Sequence, residues 1–134
     1  YESLSYCWGD GGVKVPISLD GLRFEVTTNL HAALQRLRMY ARTRRIWIDA
    51  ICVNQRNIDE RNEQVRLMRQ IYTNTSRCFV WLGQFSEEKV KLGIEALTRL
   101  EHHRRADENS TKVDPAIVEA PWFSRVWVIQ EITF

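Results

Sequence analysis

Several things are scarce in this chain of 134 residues. Three cysteines, Cys7, Cys52 and Cys78, are an odd number without a CxxC pair, so neither a disulfide framework nor a zinc site is indicated. A buried small hydrophobe is the expected role of each, and a reducing, cytoplasmic setting follows. No run approaches the roughly 18 continuous apolar residues of a membrane span, so the chain reads as soluble. Neither charge dominates: Lys+Arg 19 against Asp+Glu 17 leaves a net charge of +2, which excludes a polyanion-seeking tail and an acidic disordered segment. Only three prolines and six glycines are present, and no internal repeat or low-complexity tract appears.

Signature motifs are also missing. There is no GxxxxGK[ST] and no GxSxG. Gly9-Asp10-Gly11-Gly12 follows a strand-like run, but the third glycine of a dinucleotide fingerprint would fall on Lys14, and a hairpin follows in place of a helix. Arg36, Arg38, Arg42, Arg44 and Arg45 crowd one helix end, where they read as a solvated, dipole-favoured cluster. Nucleic acid would require a broader basic stripe with interleaved aromatics, and only Tyr40 is at hand. His102 and His103 suit a helix end and have no further metal ligands nearby in sequence.

What is present is an apolar fraction of 44%, enough for one core. Ser3 to Trp8, Arg45 to Ala50 and Arg77 to Leu82 read as core strands, rich in aromatic and β-branched residues and ending in polar or glycine positions. Helices lie between them. Thr28-Asn29 caps a stripe of Leu30, Ala33, Leu34, Leu37 and Ala41; Asp59 caps one of Val65, Met68, Ile71 and Tyr72; Ser86 caps one of Val90, Ile94, Leu97 and Leu100. On the third, Glu87, Lys91, Glu95 and Arg99 alternate in sign along a solvated face. Strand–helix alternation predicts an α/β fold with a central, mostly parallel sheet flanked by helices. Val13 to Ser18 and Leu22 to Val26 flank Asp20-Gly21, a pair that predicts a β-hairpin insertion. Residues 106–113 read as a loop, Asp114-Pro115 as a helix start, and Pro121 to Phe134 as a helix. The chain begins at Tyr1 and ends at Phe134 in an apolar stretch, which reads as one domain, 1–134, cut from a longer protein.

In open parallel sheets ligands bind beyond the carboxyl ends of the strands. Trp8, Gly9, Asp10, Asp49, Asn54, Gln55, Gly83 and Gln84 fall there, a polar rim with one large aromatic. The alternative is that strand ends lead into loops, which are polar in any protein. Trp47 and Trp81, inside strands, are read as core. Glu131 lies four residues after Trp127 and shares its helix face. An acid in so apolar a segment faces a cleft, pairs with a cation such as Arg125, or is an ordinary charged residue near a helix end, and the residues alone do not choose.

Three ordered motifs carry a resemblance. Ser-Leu-Ser-Tyr-Cys-Trp-Gly-Asp (3–10), Arg-Ile-Trp-Ile-Asp-Ala-Ile-Cys-Val-Asn-Gln (45–55) and Trp-Phe-Ser-Arg-Val-Trp-Val-Ile-Gln-Glu (122–131) together resemble the fungal heterokaryon incompatibility (HET) domain. Glu-Arg-Asn-Glu-Gln-Val (60–65), Ile71-Tyr72 and Val80-Trp81-Leu82-Gly83 fall where the family places its intermediate blocks. The resemblance implies an effector of regulated cell death in fungal self/non-self recognition, with self-association and regulatory domains or partner proteins. The HET domain is in turn similar to Toll/interleukin-1 receptor (TIR) domains, which implies a TIR-like, flavodoxin-like three-layer sandwich. Enzymatic TIR domains cleave the nicotinamide–ribose bond of NAD+ with a glutamate in a Trp-Cys-x-x-Glu motif. Trp127-Val128-Ile129-Gln130-Glu131 keeps that spacing, with Val128 in place of the cysteine. Glu131 is then the catalytic candidate and NAD+ a substrate; no resident cofactor and no metal are implied. Tyr6 and Trp8 are candidates to stack on a base or nicotinamide, with Trp127 beside Glu131. Asp10 and Asp49 are candidates for ribose hydroxyls. Arg125 would contact pyrophosphate or neutralise a carboxylate. The rival reading is a non-enzymatic assembly module whose rim binds a partner protein.

Overall fold

A computed structural model describes residues 1–91 and 120–124. Its elements run β1 (Glu2–Tyr6), β2 (Lys14–Leu19), β3 (Leu22–Thr27), α1 (Thr28–Leu37), β4 (Ile46–Trp47), α2 (Asp49–Cys52), α3 (Ile58–Thr73) and β5 (Arg77–Trp81), with a 3-10 turn at Pro121–Ser124. Residues 87–91 add a helical turn. The expected loop at 106–113, the helix start at Asp114-Pro115, the His102-His103 pair and residues 125–134 lie outside the described residues.

β1 sits in the middle of a three-stranded sheet, between β4 and β5, and both pairings are parallel. The pleat sends its residues alternately to two faces. Leu4 and Tyr6 face one side, with Ile46 of β4 and Phe79 and Trp81 of β5 in register beside them; all pack into the main core. Val26, Leu30, Ala33 and Ile48 complete that core, so β3, α1 and the start of α2 cover this face. Ser3, Ser5, Trp47 and Cys78 face the other way. Trp47 meets Tyr72 of α3 edge-on, ring centres 5.8 Å apart. On the same face Trp122 donates Nε1–H to Ser5 Oγ at 2.6 Å across 117 residues of chain, and both side chains are buried. A small residue on β1 is what lets a tryptophan approach the sheet so closely. A central strand buried on both faces is the habit of parallel sheets.

The hairpin forms as predicted. Asp20 and Gly21 both have positive φ, at 51° and 79°, which a two-residue turn compatible with strand twist requires. Helix starts depart from expectation by a residue or two. Thr27, not Thr28-Asn29, caps α1 by accepting from the Leu30 amide, and Asn57, not Asp59, caps α3 through the Asp59 and Glu60 amides. α1 stops at Leu37, leaving Ala41 exposed outside it. On α3, Met68 and Tyr72 are buried and Ile71 half-buried, whereas Val65 is exposed. Ser86 does cap the turn at 87–91, accepting from Lys89 N.

Two larger corrections concern the second strand and the arginines. The run Arg45 to Ala50 holds only two strand residues before turning into α2, and Cys52, expected to be buried, is exposed at its end. Arg44 is no solvated helix-end charge. Its Nε lies 2.9 Å from Glu2 Oε2, its Nη1 donates to Leu37 O, and its guanidinium covers the Phe79 ring at 4.7 Å. It clamps the end of α1 to the sheet.

Leu30 has 0% exposure, and truncation to alanine is expected to cost about 2–5 kcal/mol. Leu22, 74% exposed at the hairpin turn, is expected to tolerate Leu22→Thr within about 0.5 kcal/mol. Urea unfolding of the two variants followed by circular dichroism checks the contrast.

Candidate functional site

The chain leaves β1 for β4 by way of α1 on one face, then reaches β5 by way of α3 on the other. The tips of β1 and β5 therefore flank the place where the winding reverses, and side chains beyond strand tips at such a place converge on open space. Asn29, in the first turn of α1, spans these tips. Its Nδ2 donates to Cys7 O at 2.6 Å, just past β1, and its Oδ1 accepts from Trp81 Nε1 at 2.8 Å, at the end of β5. Gly9 passes close beside it with φ 74°, and a Cβ there would stand 3.3 Å from Asn29 Cβ. Both the backbone angle and the close approach favour glycine.

This turn delivers Trp8 to the mouth with 40% of its surface exposed. Trp8 Nε1 donates to Asp49 Oδ2 at 2.9 Å, joining the tip of β1 to the first residue of α2. The other oxygen, Oδ1, accepts from the Ala50 amide, and Gln55 Nε2 donates to Asp49 O. Asn54 and Gln55 are brought in by their own local bonds: Asn54 N donates to Glu60 Oε1, and Arg56 N to Asn54 Oδ1.

Two hollows open here, and Trp8 and Gln55 border both. The larger, ≈ 590 Å³, lies toward the hairpin and is lined by Lys14, Arg23, Glu25, Asn54 and Arg56 as well. The smaller, ≈ 120 Å³, lies toward α3 and is lined by Asp49, Arg61, Gln64 and Met68. Beyond β5 a third hollow of ≈ 940 Å³ runs past Trp81, Gly83 and Gln84 to Glu87 and Lys91. Under the hairpin an apolar one of ≈ 460 Å³ holds His31, Leu34, Ile51 and Cys52.

Trp8 and Asp49 are brought into direct contact. Tyr6, expected to stack on a ligand, is 1% exposed and belongs to the core, so its ring serves as floor and the exposed aromatic of the mouth is Trp8. Asp10 is exposed on the loop, where Oδ1 accepts from the Gly12 amide and holds the turn; it borders neither of the two hollows beside Trp8. Arg125, Trp127 and Glu131 lie outside the described residues. Reasoning from sequence missed Asn29, read as a helix cap, and missed Lys14 and Arg23, because the hairpin read as decoration. Only the Asp20-Gly21 register, which fixes where each hairpin side chain lies, could have signalled them.

Among the described residues no three His, Cys, Asp or Glu side chains gather to hold a metal ion, and no helix is long and apolar enough to cross a membrane.

The model of the family described as "Heterokaryon incompatibility protein (HET)" matches residues 1–131. The chain belongs to the HET family. It is 30% identical over 183 aligned positions to heterokaryon incompatibility protein 6, OR allele, of Neurospora crassa, covering 98% of this chain and 27% of that protein. It is 28% identical over 90 positions to the vegetative incompatibility protein HET-E-1 of Podospora anserina, covering 64% of this chain and 5% of that protein. The HET chain thus spans about a quarter or less of the curated relatives it matches. No solved structure matches it. All three motifs that carry the resemblance have a described part in this architecture: 3–10 is β1 with its turn, 45–55 is β4 with α2, and Trp122 is the side chain seated on Ser5.

Removing the Asn29 carboxamide with Asn29→Ala orphans Trp81 Nε1–H and Cys7 O together. The expected loss is about 1–3 kcal/mol, read from urea unfolding.

Proposed function

We propose that this HET domain is an effector of fungal heterokaryon incompatibility, triggering regulated cell death in self/non-self recognition by TIR-like hydrolysis of NAD+. The relatives it matches carry incompatibility in their names. A parallel sheet with its first strand central and its helices wound over both faces agrees with the TIR-like reading. The observation that carries the site is the Trp8–Asp49 hydrogen bond, which sets an exposed indole against a carboxylate at the strand tips.

The chemistry asks little of the protein. The C1′–N bond breaks with its electron pair going to the nicotinamide ring, which leaves neutral, so no strong general acid is needed. The ribose carbon becomes oxocarbenium-like, and Glu131 is assigned to stabilise that charge or to act through a ribose hydroxyl. Water then adds to C1′ and releases a proton. Trp8 supplies a flat wall for a ring, and Asp49 holds the indole in place while offering an acceptor to the neighbouring hollow. The proposed setting is cytoplasmic, with self-association and regulatory domains as partners.

A non-enzymatic assembly module is the second reading, favoured by the exposed apolar residues Leu22 and Val13 on and beside the hairpin. Full-length protein and its Glu131→Gln form, incubated with NAD+ and followed by nicotinamide release, decide between the two. Release expected from the wild type falls by at least about 100-fold in the variant, with an unchanged circular dichroism spectrum. Absence of release from the self-associated wild type favours the module.

A further inference from the structure

The larger hollow beside Trp8 is not neutral. Lys14 comes from the start of β2, Arg23 from β3 and Arg56 from the loop after α2, three separate segments whose cationic residues line one space. Glu25 is the acidic residue among its lining, and it is engaged with Arg23, Nε to Oε1 at 2.8 Å. Lys14 and Arg56 form no ion pair among the described residues. Like charges gathered in a concavity repel one another in the empty protein, and an anion entering it relieves that repulsion. A cleft lined with one sign of charge also concentrates the opposite ion. The volume of ≈ 590 Å³ falls within the range of small-molecule sites, and the exposed Trp8 ring borders the same space as the cations. An exposed indole and cations lining one space match a ligand that has a flat ring at one end and phosphates a few bonds away.

We infer that this hollow binds the nucleoside diphosphate portion of the substrate, with Lys14 and Arg56 on the phosphates and Trp8 on a ring. The inference rests on the NAD+ reading and deepens it, since it moves the pyrophosphate contact expected of Arg125 to the hairpin side of the mouth. The hairpin then forms one wall of a binding site. Asn54, at the same edge, adds a side chain able to donate to a phosphate oxygen or a hydroxyl. Glu25, by holding Arg23, leaves a net positive lining without making it uniformly so.

Isothermal titration of the full-length protein with ADP, and separately with adenosine, tests this against the double variant Lys14→Ala/Arg56→Ala. Both side chains are exposed, so the fold is expected to survive, as circular dichroism verifies. ADP is expected to bind the wild type more tightly than adenosine, and the double variant to lose about tenfold or more in ADP affinity, the scale of charge-assisted bonds to phosphate. Equal ADP affinity in wild type and variant, or adenosine binding as tightly as ADP, overturns the inference. Nicotinamide release separates it from the reading beneath it. ADP binding that the variant loses, in a protein that releases no nicotinamide, keeps the phosphate site and removes the cleavage. Cleavage with an unchanged KM in the double variant keeps the chemistry and removes the phosphate site.

Discussion

The bonds of Asn29 to Cys7 O and Trp81 Nε1 hold three elements at the point where the sheet's winding reverses. Parallel strands diverge beyond their last paired residues, so their tips have no mutual hydrogen bonds to keep them together. A carboxamide has a donor and an acceptor on one rigid plane, and here each reaches a different strand end. The bonds are partly buried, where leaving either partner unpaired carries a desolvation cost. Gly9 follows from the same arrangement, since the chain must turn away against the Asn29 side chain. Trp8, one residue earlier, is thereby held at the mouth.

From this anchor the mouth is assembled by residues that each do two things. Asp49 opens α2 and also accepts from Trp8. Gln55 bonds the backbone of Asp49 and also borders both hollows. Away from the mouth, buried within the sheet, Ser5 likewise gives β1 a small side chain and also accepts from Trp122. Coupling of this kind makes the HET motifs interdependent: the first and second meet through Trp8 and Asp49, and the first and third through Ser5 and Trp122. Trp47 and Tyr72 tie the second motif to α3 on the same face as Trp122. The first of the three blocks that mark the family in sequence is thus in contact with each of the other two.

The hairpin changes meaning with its position. As a two-stranded ribbon it would be marginal alone, and it is stabilised by Val26, Ile17 and Phe24 packing onto the core. Period-two alternation then dictates that side chains opposite this apolar set stand on its other face. At the other end of the sheet Arg44 joins three elements, through Glu2 of β1, Leu37 O at the end of α1 and the Phe79 ring of β5.

The local features of this chain were determined by its sequence. Apolar, β-branched runs gave β1 and β5, the Asp20-Gly21 pair gave the hairpin, and spaced apolar residues gave α1 and α3. Each depends on residues within a few positions of one another, which is where propensity and turn chemistry operate. The pairing of Trp8 with Asp49, expected only as two rim residues, is a matter of tertiary structure, as are the burial of Tyr6 and the bond from Trp122 to Ser5. So are Asn29's bridge and the gathering of Lys14, Arg23 and Arg56. The short α2 also escaped the sequence, because a brief apolar run fits strand and buried turn equally well and only its neighbours choose. Contacts between residues 22 to 117 positions apart depend on how whole elements stack, and no local pattern encodes that distance.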